Sequence, residues 1–447
     1  MFVRTITTFA VLTPNQSEWE TSLQRAENHN QQCKLLLEKH GFSVQTTRII
    51  TNPYPEYTNI TNKETFLKDI EYLKSFVSEN TRFNIGACTS KQYKDTLAYL
   101  PEAILKYNIS ASCLVPETSD GIVDMELCYA TAETIRTIAD TTPGGEGNFN
   151  FCGSGSPVRP STTNTWNPAG GSMVGVPYFP SGYTTTEEGW YCTIGLQFPD
   201  IIVEALQPLC NNTSNTSSSS IVNTFASRTE DWEKGGQAIK HKLSYYMSNI
   251  ATIVNSVCQE TNIPVRGIDG SIAPLPTAAS VVDIYKLFGL SYYGAPGTLE
   301  ISSYLTKILK SVPVYILPNV TTSEIDYQEI LDDTNSIKTV VPLIGYSGLM
   351  LPPTEDTGLA AAHTNNQYTI RDLLMYSAVC GIGLDTVPVP GDTSVLTITN
   401  LLADVMTLSY RLCKPLSVRL FPVPGLNASE LTKFENPNLC NTRVFHI

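Results

Sequence analysis

The chain has 447 residues, 42% of them hydrophobic and only 16% charged, with a formal net charge of −13. That is ample material for a large core and excludes intrinsic disorder. An exterior this acidic repels phosphate backbones and anionic headgroups, which excludes nucleic-acid and membrane partners.

The opening MFVRTITTFAVLTP is an apolar run interrupted by Arg4. It lacks the hydrophobic stretch and small-residue cleavage site of a secretory signal. No later segment approaches the roughly 20 apolar residues of a membrane span. Eleven cysteines, an odd number at irregular spacings, read as reduced thiols. The expectation is a soluble, cytoplasmic protein.

In chain order, β-branched runs predict strands over 3–12, 43–51, 83–89, 110–115, 148–153 and 191–198, then over 265–273, 312–317, 340–351, 382–389 and 417–422. Between them, apolar residues at three- and four-residue spacing predict helices. The first runs from about Ser17 to Lys39 and stops at Gly41, a normal helix-ending residue. Others cover roughly 122–140, 199–210, 228–261, 277–288, 298–311, 355–379 and 394–412. This alternation predicts an α/β fold with a mostly parallel sheet and helical crossovers. Ten or so strands crowd an open twisted sheet, so the expected form is one large barrel with outer helices, a single domain over 1–447. The Gly/Pro/Ser/Thr-rich stretch 153–172 and the serine-rich stretch 211–220 read as loop insertions.

Unusual residues crowd the last third. RGIDGSIAPLP at 266–276, GYSGLMLPPTEDTG at 345–358, CGIGLDTVPVPGD at 380–392 and KPLSVRLFPVPG at 414–425 each put Gly, Pro and polar residues at a strand end. Strand ends are where α/β folds build ligand sites. These motifs, with VRTITT at 3–8, GEGNFNF at 145–151, VPYFPSGY at 176–183 and IGLQFPDIIVEA at 194–205, resemble the domain-of-unknown-function 711 family, sometimes called pyruvate formate-lyase-like. The resemblance spans the chain and is dense after about residue 140. It implies a ten-stranded α/β barrel similar to that of glycyl-radical enzymes, and it implies no reaction. Glycyl-radical chemistry needs a glycine in a C-terminal loop, and this chain has none after Gly425. That chemistry is not expected, and fold analogy is no warrant for it.

Asp269 and Asp385 sit in apolar strand-like runs, where a carboxylate must be paired, hydrogen-bonded, metal-bound or protonated. They are the first candidates for acid/base catalysis or for divalent-metal binding. Ion pairing with Arg266, Arg419 or Lys414 is the plainer alternative. Cys380 is a candidate nucleophile or simply a buried apolar thiol. Glu355 and Asp356 are further candidate metal ligands, although a helix cap with Thr354 explains them too. Asp392 reads as another helix cap. Arg4 and Arg419, on predicted strands, are candidate clamps for a substrate carboxylate or phosphate. Gly297, Thr298 and Ser347 are candidate substrate contacts, the first two opening a helix where backbone N–H groups meet an anion. A loose glycine cluster near 144–156 lacks the other parts of a phosphate loop or dinucleotide site, so no nucleotide cofactor is expected.

The sequence thus predicts an enzyme of small-molecule metabolism acting on a small polar anion at one mouth or in the interior of the barrel. Its chemistry would be carboxylate acid/base or divalent-metal. A non-catalytic metabolite-binding or regulatory protein is the alternative, and a homodimer is left open.

Overall fold

The computed structural model describes residues 2–157, 173–178, 180–210, 220–224, 226–317 and 339–447. Nine strands form one sheet: β1 (Phe2–Ala10), β2 (Ser43–Thr51), β3 (Thr81–Cys88), β4 (Ser110–Leu114), β5 (Phe151–Gly155), β6 (Tyr191–Gln197), β7 (Val265–Asp269), β10 (Gly383–Pro390) and β11 (Leu416–Val423). A separate antiparallel pair joins β8 (Tyr315–Ile316) to β9 (Thr339–Val340). The helices are α1 (Trp19–Lys39), α2 (Lys63–Ser75), α3 (Leu100–Tyr107), α4 (Met125–Thr141), α5 (Pro199–Leu206) and α6 (Arg228–Thr261). They continue with α7 (Val281–Leu287), α8 (Thr298–Leu309), α9 (Thr357–Thr364), α10 (Ile370–Val379) and α11 (Val395–Leu412). None of the described helices is long and apolar enough to cross a membrane.

Across the sheet the order is β10-β11-β5-β4-β3-β2-β1-β6-β7. Strands β1 to β5 are mutually parallel. At both borders the direction reverses: β6 joins β1 antiparallel, and β11 joins β5 antiparallel. The outer pairs, β6 with β7 and β10 with β11, are again parallel. β1 and β11, from opposite ends of the chain, therefore belong to one sheet. Strands such as β6 and β11 are buried at every position. Continuous burial is the pattern of a sheet covered on both faces. Helix α1 shows how the outer layer docks. Its Trp19, Leu23, Ala26, Asn30, Cys33 and Leu37 recur every three or four residues on the buried side, and Gly41 at φ +82° turns the chain off its end.

Three expectations need correction. The sheet is open in its strand ladder, with β7 and β10 at its edges, where the sequence predicted closure. The strand expected over 340–351 is reduced to β9 and an extended segment that forms two isolated parallel bridges, Leu343 with Ile268 of β7 and Leu349 with Ile272 just beyond it. Pro342, Pro352 and Pro353 remove ladder donors there, and Gly345 and Ser347 turn left-handed (φ +62° and +38°), which breaks regular pairing. The single helix expected over 355–379 is two, because Asn366 turns left-handed and Thr369 starts α10 with a capping box to Asp372. Helices α2 and α3 were not anticipated. Most of the loops expected at 153–172 and 211–220 lies outside the described residues.

Candidate functional site

Two β-bulges bring the site together. On β1, Val3 pairs with Leu196 and Thr5 with Gly195, so Arg4 is the extra residue. On β10, Leu384 pairs with Val418 and Val387 with Leu420, so Asp385 and Thr386 together face Arg419 of β11. A bulge bends its strand and re-aims a side chain. Thr386 takes φ +47°, a strained conformation for a β-branched residue. Its carbonyl is held by the Thr354 hydroxyl at 2.9 Å.

The result is a buried charge chain. Arg419 donates through Nε to Asp385 Oδ1 and through Nη2 to Glu355 Oε1 at 2.6 Å. Arg4 Nη2 donates to Glu355 Oε2 at 3.2 Å. Glu355 therefore bridges two guanidinium groups. Burial lifts its carboxyl above the ordinary value, against the pull of Arg419. Arg4 Nη1 is buried and has no hydrogen-bond partner among the described residues.

These four side chains line one cavity of about 80 Å³. At on the order of 10–15 Å³ per water, that is room for a small molecule. Its lining draws on β1, β2 and β3 and on the chain just beyond β7 and the 341–350 segment. Arg48 and Arg82 also line it, so four arginines face two carboxylates, a surplus of two positive charges. Arg48 is bonded to Thr46 Oγ1 and to Pro177 O, each at 3.2 Å. Burial, then the nearby Arg4 and Arg82, push its guanidinium well below the ordinary value. Tyr346 adds a phenol whose oxygen is hydrogen-bonded to Ser181 Oγ and Ser417 Oγ at 2.9 and 3.0 Å, donating to one and accepting from the other.

The other predicted residues lie elsewhere. Asp269 is fully buried and is not among the cavity-lining residues. It accepts from Ser271 N, Ser271 Oγ, Tyr346 N and Ser347 N at 2.6 to 3.0 Å. Burial raises its carboxyl to about 6 against these bonds. It organises the turn that carries Tyr346, and Gly345 leaves it room, since a Cβ there would lie 2.2 Å from Asp269 Oδ2. Ser347 sits in the same turn, its hydroxyl donating to Ile344 O. Asp356 caps α9 through Leu359 N and clips it to α7 through Ser280 Oγ and Val281 N. Thr354 does not cap that helix, and Ser394 rather than Asp392 caps α11. Cys380 ends α10 and lines a second cleft with Lys310 and Lys414; burial pushes its thiol up to about 12, so it is a thiol at neutral pH. Gly297 and Thr298 start α8, where the Thr298 hydroxyl donates to Ala295 O and accepts from Gly294 N. Arg266, expected as a partner for an aspartate, pairs with Glu188.

The sequence reading passed over Arg48, Arg82 and Tyr346. For Arg48 the signal was available: it is an arginine inside a β-branched strand run, as Arg4 and Arg419 are. Arg82 and Tyr346 carry no such mark, because only the tertiary fold brings them to the cavity.

A family model described as Uncharacterised ACR (DUF711) matches residues 1–316 and 330–435. The UPF0210 protein of Actinobacillus pleuropneumoniae is 23% identical over 414 residues, 90% of this chain and 79% of the relative. UPF0210 proteins of Desulfovibrio desulfuricans and Pyrobaculum aerophilum are each 30% identical over 195 and 190 residues, 43% and 42% of this chain. Those two matches span 37% of each relative's length. With a family model matching nearly its full length, the chain belongs to the uncharacterised DUF711 family.

Proposed function

We infer that the arginine cavity binds a small anionic metabolite, a carboxylate or a phosphate, and that the protein is an enzyme in which Asp385 and Glu355 transfer protons to or from it. The carrying observation is Arg4 Nη1, a buried charged donor lacking an acceptor in a cavity with surplus positive charge. An uncompensated buried donor is costly, and an anion satisfies it. Divalent-metal chemistry has weaker support, since guanidinium groups already occupy both Glu355 oxygens and one Asp385 oxygen. In this reading Asp269 is a positioning residue that acts through Tyr346. The 341–350 segment serves as the tenth strand, closing a single-domain barrel around the cavity. Cavity residues from β10 at one edge of the sheet and from β1, third from the opposite edge, support that curl.

The test is calorimetric titration with inorganic phosphate and with a short dicarboxylate. At least one should bind the wild type, and Arg4→Gln should weaken it tenfold or more. Equal binding by both proteins, or none by either, sinks the assignment. The occupied carboxylates also favour a second reading, a non-catalytic binding protein. Once a ligand is found, solvent deuterium entering it at a rate lost in Asp385→Asn supports the enzyme; binding without any exchange or turnover supports the alternative.

A further inference from the structure

Away from the arginine cavity, four metal-ligating side chains converge from three elements. His29 and Cys33 lie one turn apart on the buried side of α1, Cys258 lies on α6 and Cys192 near the start of β6. Their exposures are 0%, 0%, 4% and 0%. Cys192 Sγ and Cys258 Sγ are 3.5 Å apart, and Cys33 Sγ is 3.5 Å from His29 Nε2. Ligand atoms of His29, Cys192 and Cys258 all lie within 4.8 Å of one another.

The histidine is already oriented. Thr261 Oγ1 lies 2.8 Å from His29 Nδ1 and 2.9 Å from Val257 O. With its proton on Val257 O, the hydroxyl accepts from Nδ1, and Nε2 then presents a lone pair to the sulfurs. An outer partner that fixes the imidazole in this way is the usual companion of a metal-bound histidine. Packing of small apolar thiols explains buried cysteines singly. It does not explain a fully buried imidazole whose free lone pair faces three of them.

We propose that His29, Cys33, Cys192 and Cys258 form a closed tetrahedral zinc site. With zinc–sulfur bonds of about 2.3 Å and zinc–nitrogen of about 2.0 Å, tetrahedral ligand edges measure roughly 3.5–3.8 Å. Two opposite edges already have that length, and the ligand atoms of His29, Cys192 and Cys258 lie within 4.8 Å of one another; Cys33, at 3.5 Å from His29 Nε2 but outside that set of three, closes on the two other sulfurs as the metal binds. Binding forms three Zn–S bonds and one Zn–N bond and releases three thiol protons to solvent, with no change of oxidation state. All four positions are filled by protein, so the metal is a structural clamp joining α1, β6 and α6, with no open position for substrate. None of the four residues lines the arginine cavity.

The protein, purified under reducing conditions with any affinity tag removed, should carry about one zinc per chain by elemental analysis. Cobalt(II) in place of zinc should give thiolate-to-cobalt charge-transfer absorption and intense tetrahedral d–d bands. Titrating zinc into the reduced apoprotein should release about three protons per metal. Cys192→Ser with Cys258→Ser should reduce bound metal at least tenfold; if that variant misfolds, the wild-type cobalt spectrum decides alone. Wild type that takes up neither metal, cobalt bound without charge-transfer bands, or a Cys192–Cys258 disulfide in the reduced preparation would each overturn the proposal.

Discussion

Among the charged residues of the cavity, Glu355 holds the most together. Its two oxygens serve Arg4 and Arg419, both buried, whereas Arg4 has, among the described residues, only this carboxylate as an ionic partner at hydrogen-bond range. Removing one member of a buried pair leaves an uncompensated charge, typically a loss of about 3–5 kcal/mol. Glu355→Gln strands Arg4 and leaves Arg419 paired with Asp385, so it should fall in that range. Arg4→Gln should cost clearly less, since Arg419 continues to hold Glu355. Urea unfolding midpoints at constant slope measure both; equal losses would refute the hub role. The asymmetry was hidden in the sequence. Thr354, Glu355 and Asp356 read together as a helix cap, yet only Asp356 caps, and the residue before it turns into the cavity. An arginine in an apolar strand is a better mark, because burial without a partner is so costly, and it identified Arg4 and Arg419.

At the scale of elements, most strands and helices were legible from periodicity, α2 and α3 excepted, and α1 and α6 sit close to their expected bounds. The 341–350 segment was not, since its apolar residues suit a strand while its prolines and left-handed turns deny it the ladder. The helix pair α9 and α10 failed for a related reason: capping at Thr369 outweighs an unbroken apolar pattern. One element carries a titration. His363 of α9 stacks on Phe445 at 3.4 Å between ring centroids, and burial lowers its pKa to about 4. In the unfolded chain it titrates near about 6.5. Between these values the unfolded state binds more protons, so this contribution is complete above about pH 6.5 and is lost as pH falls toward 4. The loss is on the order of 3 kcal/mol at most. Wild type should therefore lose stability over that interval more steeply than His363→Gln, by denaturant unfolding at each pH. Parallel curves would show that His363 protonates as easily in the fold as outside it.

For the molecule as a whole, the open question in the sheet is its seam. Ile268 N donates to Pro342 O, Ile344 N to Ile268 O, Ile272 N to Gly348 O and Met350 N to Ile272 O. If 341–350 completes a closed barrel, these amides should exchange hydrogen as slowly as those of β1, measured by native-state exchange. Exchange at the rate of surface loops would leave an open sheet with a covered edge. The resemblance implied closure, and the number of expected strands suggested it, but neither could show that prolines and left-handed turns would interrupt the last ladder.

The cationic cavity lies inside a chain of net charge −13, so the potential an anion meets changes sign on the way in. Beyond a Debye length, about 8 Å at physiological ionic strength, only the outer acidity is felt, and it is screened. A bulky polyanion cannot shed that repulsion, because most of its charge stays outside the mouth. A small one crosses a weak barrier and then meets the guanidinium groups at close range. Salt should accordingly quicken its arrival while loosening its hold, the reverse of electrostatic steering by a charged surface. If the cavity binds an anion as proposed, the acidic exterior would act as a size filter, with selectivity beginning before any contact is made.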